Sequence, residues 1–489
     1  MSVQVTTQNA IDMNPDLLIG GQWRAGSRQS RIPVVDPATE AQVGSVSDAD
    51  VADALAAVDA ADVASAAWEA TPARERCEIL RKCFELIVRD AEALAHIISL
   101  ENGKALKDAR GEVAYAAEFF RWFSEEGVRA KGDLGMAPSG KNHILVQYQP
   151  IGISLLVTPW NFPAAMATRK IAPALAAGCT CILKPATATP LTAYAVARIL
   201  AEAGVPDGVV NVITTSTTGP VVSAILKDPR VRKLSFTGST EVGRTLLREA
   251  AGQVINSSME LGGNAPFLVF EDADLDQAIE GAMVAKMRNG GEACTAANRF
   301  LVHRDVAEAF TERLVAAMSA LTVGPGVEEA TDCGALINPD AVLKVQELVD
   351  EAKSVGARVR CGGEAAQRTG FYYPPTVLDQ MPVTAKMFHE EIFGPVAPVY
   401  VFDTEEEAIQ LANDTEYGLV AYLYTQDTGR GLRISAKLEA GMVALNRGLV
   451  SDPAAPFGGV KQSGLGREGA QHGMLEFMEM KYIATSWGQ

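Results

Sequence analysis

The sequence predicts an α/β protein with a parallel sheet and a second alternating α/β region. Three observations point there. The chain has 489 residues, 48 % hydrophobic and 21 % charged, which suits a globular protein of two or three domains. Across residues 152–236, short apolar runs alternate with stretches of helical period. Across residues 266–445 the alternation starts again. Strands alternating with helices of this length make βαβ units, whose sheet is parallel and covered on both faces.

In chain order, the N-terminal third reads as helical after a short lead-in. Within 74–100, Ile79, Leu80, Cys83, Phe84 and Ile87 recur at helical spacing, with Arg81, Lys82, Glu85 and Arg89 between them. Residues 153–157 form an apolar run that stops at Thr158-Pro159, as a buried strand does. A helix follows to Ala177, and the run 181–183 ends at Lys184-Pro185. Residues 191–203 are helical, 209–213 strand-like, 221–226 helical and 233–236 strand-like. In the second region 266–270, 300–302, 398–402, 422–425 and 442–445 read as strands, with helices over 307–321 and 341–355. The Gly pair in Leu261-Gly262-Gly263 marks the best domain boundary, because glycine permits a change of chain direction. Two β-rich pieces, 142–149 and 481–487, read as exposed strands that pair with another subunit.

Composition narrows the function. There are 43 Lys+Arg against 60 Asp+Glu, a net charge of −17, which argues against nucleic acid or an anionic membrane as partner. No apolar run reaches the ~18 residues of a spanning helix. The polar residues 1–14 lack the layout of a signal peptide, so a cytoplasmic location is expected. Seven scattered cysteines (Cys77, Cys83, Cys179, Cys181, Cys294, Cys333, Cys361) fit a reducing compartment rather than a disulfide framework. The five histidines lie far apart and no zinc spacing occurs, so no metal is expected.

Several segments carry chemistry, each beside a plainer reading. Gly464-Leu465-Gly466-Arg467-Glu468-Gly469 matches GxGxxG, but too little chain follows to build a βαβ unit, and it reads as a turn. Phe236-Thr237-Gly238-Ser239-Thr240 lies where a strand turns into a helix and can hold an anion; alternatively Ser239 or Thr240 is only an N-cap. Thr158, Trp160 and Asn161 follow a strand, where ligands of parallel sheets collect; the alternative for Trp160 is ordinary packing. Lys184 can reach ribose hydroxyls or a phosphate, or be a solvated lysine. Glu260, among apolar and Gly residues, suits a general base of raised pKa, or faces solvent. Cys294 follows glycines at a turn that leaves a thiol accessible; a lone cysteine is otherwise a small buried hydrophobe.

Taken together, Thr158-Pro159-Trp160-Asn161-Phe162-Pro163, Leu183-Lys184-Pro185, Phe236-Thr237-Gly238-Ser239, Glu260-Leu261-Gly262-Gly263, Cys294, Glu390-Glu391-Ile392-Phe393-Gly394-Pro395 and Pro456-Phe457-Gly458-Gly459 resemble the aldehyde dehydrogenase superfamily in order and spacing across nearly the whole chain. Residues 165–170 (Ala-Met-Ala-Thr-Arg-Lys) and 446–451 (Asn-Arg-Gly-Leu-Val-Ser) resemble the succinate-semialdehyde dehydrogenase branch.

The resemblance implies an aldehyde dehydrogenase fold: a Rossmann-like cofactor domain over 1–130 and 151–262, a catalytic α/β domain over 263–462, and a small β oligomerisation arm over 131–150 and 470–489. It implies Cys294 as nucleophile, Asn161 with the Cys294 N–H as oxyanion hole, and Glu260 as the base that activates water. Glu468 matches a residue that helps move protons in some members. Thr158, Trp160, Lys184, Ala186, Thr187, Gly238, Ser239, Leu261, Glu391 and Phe393 are implied cofactor contacts. Many NAD-preferring relatives carry Glu where this chain has Thr187, so the repulsion of a 2′-phosphate is missing and NADP is expected, with NAD admissible. Arg169, Arg288 and Ser451 match the residues that hold the distal carboxylate of an anionic semialdehyde: succinate semialdehyde, or as the alternative glutarate semialdehyde. A catalytically silent binding protein of the same fold is the reading from another class. Some members carry a second cysteine two residues after the nucleophile; here that position is Ala296, so that redox switch is expected to be missing. A homodimer or homotetramer is expected.

Overall fold

The structure, a computed structural model, describes residues 11–486. Among them two large sheets meet at a short linker. The first has eight strands in the order Gly464–Leu465, Asn256–Glu260, Val231–Thr237, Ile153–Val157, Cys181–Lys184, Val210–Val212, Leu17–Ile19, Gln22–Arg24. Its five central strands are parallel, and the flanking ones antiparallel. The second has seven, in the order Arg358–Cys361, Thr376–Asp379, Val396–Phe402, Ala297–His303, Ala265–Val269, Val420–Tyr424, Met442–Leu445, all parallel except the first pair.

Alternate residues of these strands feed separate apolar clusters, which is why most strands read as continuous apolar runs. In the first sheet Leu156 and Leu183 face one cluster, while Leu155, Val157 and Ile182 face another. In the second, Leu268 and Leu301 face opposite to Phe267, Val269 and Phe300.

The chain leaves Ile153–Val157 for Cys181–Lys184 and Val210–Val212 on one side, then returns to Val231–Thr237 and Asn256–Glu260 on the other. Such a reversal opens a crevice at the carboxyl ends of the strands. The first sheet stops at Glu260 and the second starts at Ala265. Ser463 pins the linker between them: its hydroxyl donates to the Gly262 carbonyl at 2.7 Å and accepts from Gly418 N–H at 2.9 Å.

The helix Pro163–Ala177 is buried along its whole length and ends at Gly178, which takes φ 97. Its N-terminus has no side-chain cap of its own. Instead Glu112, on the helix Leu106–Glu126, accepts from the amides of Ala164 and Ala165 at 2.8 and 3.2 Å. A carboxylate satisfies those amides and suits the positive end of the helix dipole. Glu112 is itself paired with buried Lys104 at 2.6 Å.

Several expectations change. The helical stretch 74–100 is two helices, Ala73–Arg89 and Ala91–Asn102, broken at Asp90. The lead-in contains two hairpins, Leu17–Ile19 with Gln22–Arg24 and Arg31–Val35 with Gln42–Ser47. The GxGxxG segment contributes the two-residue strand Gly464–Leu465, paired to Met259 and Glu260, before its turn. The two β-rich pieces pair with each other: His143–Pro150 lies antiparallel between Met478–Thr485 and Asp133–Met136. Trp487, in the second piece, lies outside the described residues. Leu134, Met136, Met480 and Tyr482 on this small sheet are exposed. Among the described residues no helix is long and apolar enough to cross a membrane, and no group of three acidic, His or Cys side chains is arranged to hold a metal.

Removing one partner of a buried ion pair costs about 3–5 kcal/mol, because the other charge is left unpaired. Glu112→Ala is therefore expected to lower unfolding free energy by that amount in urea denaturation. Glu112→Gln, which keeps an acceptor for the two helix amides, is expected to lose less.

Candidate active site

Cys294 sits just beyond the short 3₁₀ turn Arg288–Gly291, inside which Asn289 and Gly290 take left-handed conformations. The Asn289 side chain holds the turn by donating to the carbonyls of Asn161 and Glu292, each at 2.9 Å. Gly263 lets the turn approach the linker: a Cβ there would lie 2.4 Å from the Cys294 carbonyl oxygen. The result is a half-buried thiol on the wall of a cleft with about 1040 Å³ of empty space. Burial pushes this thiol up to about 12, with Arg169 pulling it down, Glu391 and Glu260 raising it further, and Arg288 lowering it. Ala296 is buried, and Cys294 is a free thiol.

Asn161 lines the same cleft. One proton of its amide goes to the Glu292 carbonyl at 3.0 Å, which fixes the amide plane and leaves the second proton for a ligand oxygen. Its backbone carbonyl accepts from Lys104 Nζ at 2.6 Å and from Asn289. The next carbonyl upstream, of Trp160, accepts from Asn102 and Thr189 at 3.1 and 3.2 Å. Lys104, Glu112, Asn289 and Asn102 escaped the sequence reading, since each looks like an ordinary polar helix or turn residue.

Glu260 is buried at the end of its strand, and its Oε2 has no hydrogen-bond partner among the described residues. Gly458 opposite it leaves room: a Cβ there would come within 2.9 Å of Oε1. Burial raises the Glu260 pKa well above the usual carboxylate value, and Glu468 adds to the rise. At Glu468 burial works the same way, but Arg169 and Lys170 outweigh it and hold that carboxyl below the ordinary value. Lys170 Nζ lies 2.5 Å from Glu468 Oε1, and Arg169 Nε contacts Oε2. Two neighbouring carboxyls pushed apart in this way suit different roles, one accepting a proton near neutral pH and one staying charged.

The cleft is lined by Trp160, Gly238, Ser239, Leu261, Glu391 and Phe393 among others. Trp160 and Phe393 meet edge to face at 5.4 Å. Glu391 accepts from Gly263 N–H at 3.0 Å. Ser239 caps the helix Thr240–Ala250, accepting from Val242 N–H, and still faces the cleft, so both readings of it hold. The Thr237 hydroxyl is buried without a partner. Thr158 is buried beside Lys184, whose carbonyl accepts from Thr158 N–H at 3.2 Å. Lys184 itself is buried, and burial lowers it to about 8 with no anion nearby to oppose the shift. Ala186 and Thr187 follow it, half-buried. An apolar cleft bordered by the amino end of the helix Thr240–Ala250, with the buried Lys184 next to Thr158, fits an anionic dinucleotide.

The three carboxylate-binding candidates divide. Arg169, expected to face a ligand carboxylate, has its guanidinium fully buried against Glu468, with the Phe457 ring 4.4 Å away and Met166 Sδ accepting at 3.3 Å. Its charge is matched within the chain. Arg288 is half-buried over the Phe162 ring at 5.1 Å and forms no ion pair among the described residues. Ser451 is half-buried on the loop leading to Phe457. Tyr115 joins them: its hydroxyl is buried, burial raises its pKa, and both arginines pull it back down. Nothing in the sequence around Tyr115 marked it.

The family model described as the aldehyde dehydrogenase family matches residues 23–483. A succinate-semialdehyde dehydrogenase of Paenarthrobacter nicotinovorans is 55 % identical over 434 residues, covering 89 % of this chain and 96 % of the relative. A glutarate-semialdehyde dehydrogenase of Pseudomonas putida is 47 % identical over 468 residues, covering 96 % of this chain and 97 % of the relative. A crystal structure of an Escherichia coli NADP-dependent enzyme superposes with a TM-score of 0.96 at 47 % identity, covering 97 % of this chain and 98 % of the other.

With its pKa near 12, the Cys294 thiol of the ligand-free protein should react as a small thiolate fraction. Iodoacetamide labelling of Cys294 is expected to accelerate roughly tenfold per pH unit from about pH 7 to about pH 9 without a plateau. A plateau near neutral pH would show a resting thiolate instead.

Proposed function

The chain belongs to the aldehyde dehydrogenase family, and from that membership we propose that it oxidises succinate semialdehyde to succinate with NADP as the preferred cofactor. The observation that carries the reading is the shared cleft, where the Cys294 thiol and the Asn161 amide meet the wall formed by Glu391 and Phe393. When bound, the oxidised nicotinamide ring supplies the hydride acceptor. Lys184, Ser239, Glu391 and Phe393 would hold the cofactor. As its thiolate, Cys294 adds to the aldehyde carbon, and the resulting oxyanion is met by the Asn161 amide and the Cys294 N–H. After the hydride leaves, Cys294 carries a thioester. Glu260 takes a proton from water, which hydrolyses the thioester and frees the acid and the thiol.

For the substrate carboxylate, Arg288 forms no ion pair among the described residues, and the Tyr115 hydroxyl lies in the field of both Arg169 and Arg288. Arg169, already paired with Glu468, adds positive field from behind. Both relatives' names describe ω-carboxylated semialdehydes, and a difference of one methylene shifts affinity by only ~1–3 kcal/mol. NADP is favoured because Lys184 is a buried cation seeking an anion and Thr187 adds no negative charge beside it. The exposed Leu134, Met136, Met480 and Tyr482 support assembly of two or four copies through the small sheet.

Reduced-cofactor absorbance tests this reading. Cys294→Ala is expected to abolish turnover. Arg288→Ala is expected to raise KM for succinate semialdehyde at least about tenfold, the loss of a charged hydrogen bond, while changing KM for an uncharged aldehyde little. Equal effects on both aldehydes would remove Arg288 from the carboxylate site. Because Lys184 must be protonated to meet a 2′-phosphate, KM for NADP should climb above about pH 8 while KM for NAD changes less.

A further inference from the structure

Two adjacent strands of the first sheet carry a feature that packing does not call for. In Val231–Thr237 and Asn256–Glu260 the register pairs Lys233 with Asn256, Ser235 with Ser258, and Thr237 with Glu260. Residues paired in a parallel ladder share a face, so six polar side chains form one continuous patch ending at Glu260. The intervening Leu234, Phe236 and Met259 pack into the apolar cluster on the other face. Of the six, only Asn256 is exposed.

Two groups of hydrogen bonds lie along this patch, and they meet where Ser235 and Ser258 are neighbours across the two strands. Near the site, Lys170 Nζ joins Glu468 at 2.5 Å and donates to Ser235 Oγ at 2.9 Å. Ser258 Oγ is the cross-strand neighbour of Ser235. It accepts from Lys233 Nζ at 2.5 Å and donates to Glu476 Oε2 at 2.7 Å. Lys233 also reaches Asn256 at 2.6 Å and Glu476 at 3.2 Å. Lys233 is fully buried, while the Glu476 carboxylate is 27 % exposed. The other groups facing Lys233 are Lys170, the Cys179 thiol and, at 5.6 Å, the Phe477 ring; Arg467 N–H donates to Glu476 at 3.2 Å. A buried ion pair of this kind gives no more stability than well-packed apolar side chains would.

Aldehyde oxidation in this family takes one aldehyde, one water and one oxidised cofactor to one carboxylate, one reduced cofactor and two protons. The base inferred to take a proton from water is buried, so that proton needs a way out. We propose that Ser235, Ser258, Lys233 and Glu476 form the solvent-side half of a path along the polar sheet face, and that Glu476 releases to solvent the proton taken up by Glu260 during thioester hydrolysis. The inference rests on Glu260 being the base. Within that path Lys233, bonded to both Ser258 and Glu476, also keeps Glu476 in line.

Acylation by p-nitrophenyl acetate needs no cofactor: Cys294 displaces nitrophenolate, and water then releases acetate. The nitrophenolate burst reports acylation, and loss of the acetyl mass from Cys294 reports hydrolysis. Glu476→Gln is expected to slow hydrolysis about tenfold while leaving the burst rate within about twofold, and added formate should restore hydrolysis as an external proton carrier. Ser258→Ala should slow hydrolysis in the same direction, and Glu476→Asp should recover part of the loss. Glu260→Gln, run in parallel, should block hydrolysis. If it does not, the base assignment fails. If it does, but Glu476→Gln and Ser258→Ala hydrolyse at the parent rate and pH profile, the path is overturned. Equal slowing of burst and hydrolysis, with no rescue by formate, would mean that Glu476 only supports the fold, and would also overturn it.

Discussion

The Lys104 ammonium, buried between the Glu112 carboxylate and the Asn161 carbonyl with the Phe162 ring 4.3 Å away, is the contact on which the site depends. It ties the helix Leu106–Glu126 to the turn that carries Asn161. Through Glu112 the same charge caps the buried helix Pro163–Ala177, which bears Arg169 and Lys170. A charge with these partners inside a protein is held in one geometry, because every alternative leaves an unsatisfied group. The Asn161 amide therefore meets the cleft from a fixed backbone, as a preorganised oxyanion donor must.

A second constraint is steric. The two sheets come together only because backbone replaces side chain at their junction. Gly263 lies against the Cys294 carbonyl, Gly458 against the Glu260 carboxylate, and Gly464 against the Met259 carbonyl. These contacts bring the Cys294 turn and the Glu260 strand end close to the cleft that Asn161 lines. Burial then differentiates the ionisable groups. Glu260 is raised and left unpartnered, whereas Glu468 is held charged by Arg169 and Lys170. The expense of dehydrating Cys294 is met only partly by the arginines nearby.

Much of this was legible from the chain. Ile153–Val157 and Cys181–Lys184 are buried on both faces, so an apolar run with a Pro stop marks each of them. The strand Asn256–Glu260 escaped because one of its faces is polar, and Asn-Ser-Ser-Met-Glu shows no apolar run. Lys233 looked like the edge of a strand and lies fully buried within one. The cleft segments drew notice because turn residues sit at the ends of strands. The residues that fix them did not, since Lys104, Glu112 and Asn289 act across gaps that no local pattern records. Arg169 shows the limit most sharply: its ion-pair partner Glu468 lies 299 residues along the chain and is visible only once the chain is folded.

Everything in this reading turns on a covalent bond between Cys294 and the substrate within this cleft. Its most direct measurement is peptide mapping by mass spectrometry after acid quench of the protein turning over succinate semialdehyde with oxidised NADP. A succinyl group is expected on the peptide containing Cys294 and on no other cysteine peptide. Reduced cofactor formed with no acyl group on Cys294, or an acyl group on a different residue, would contradict it.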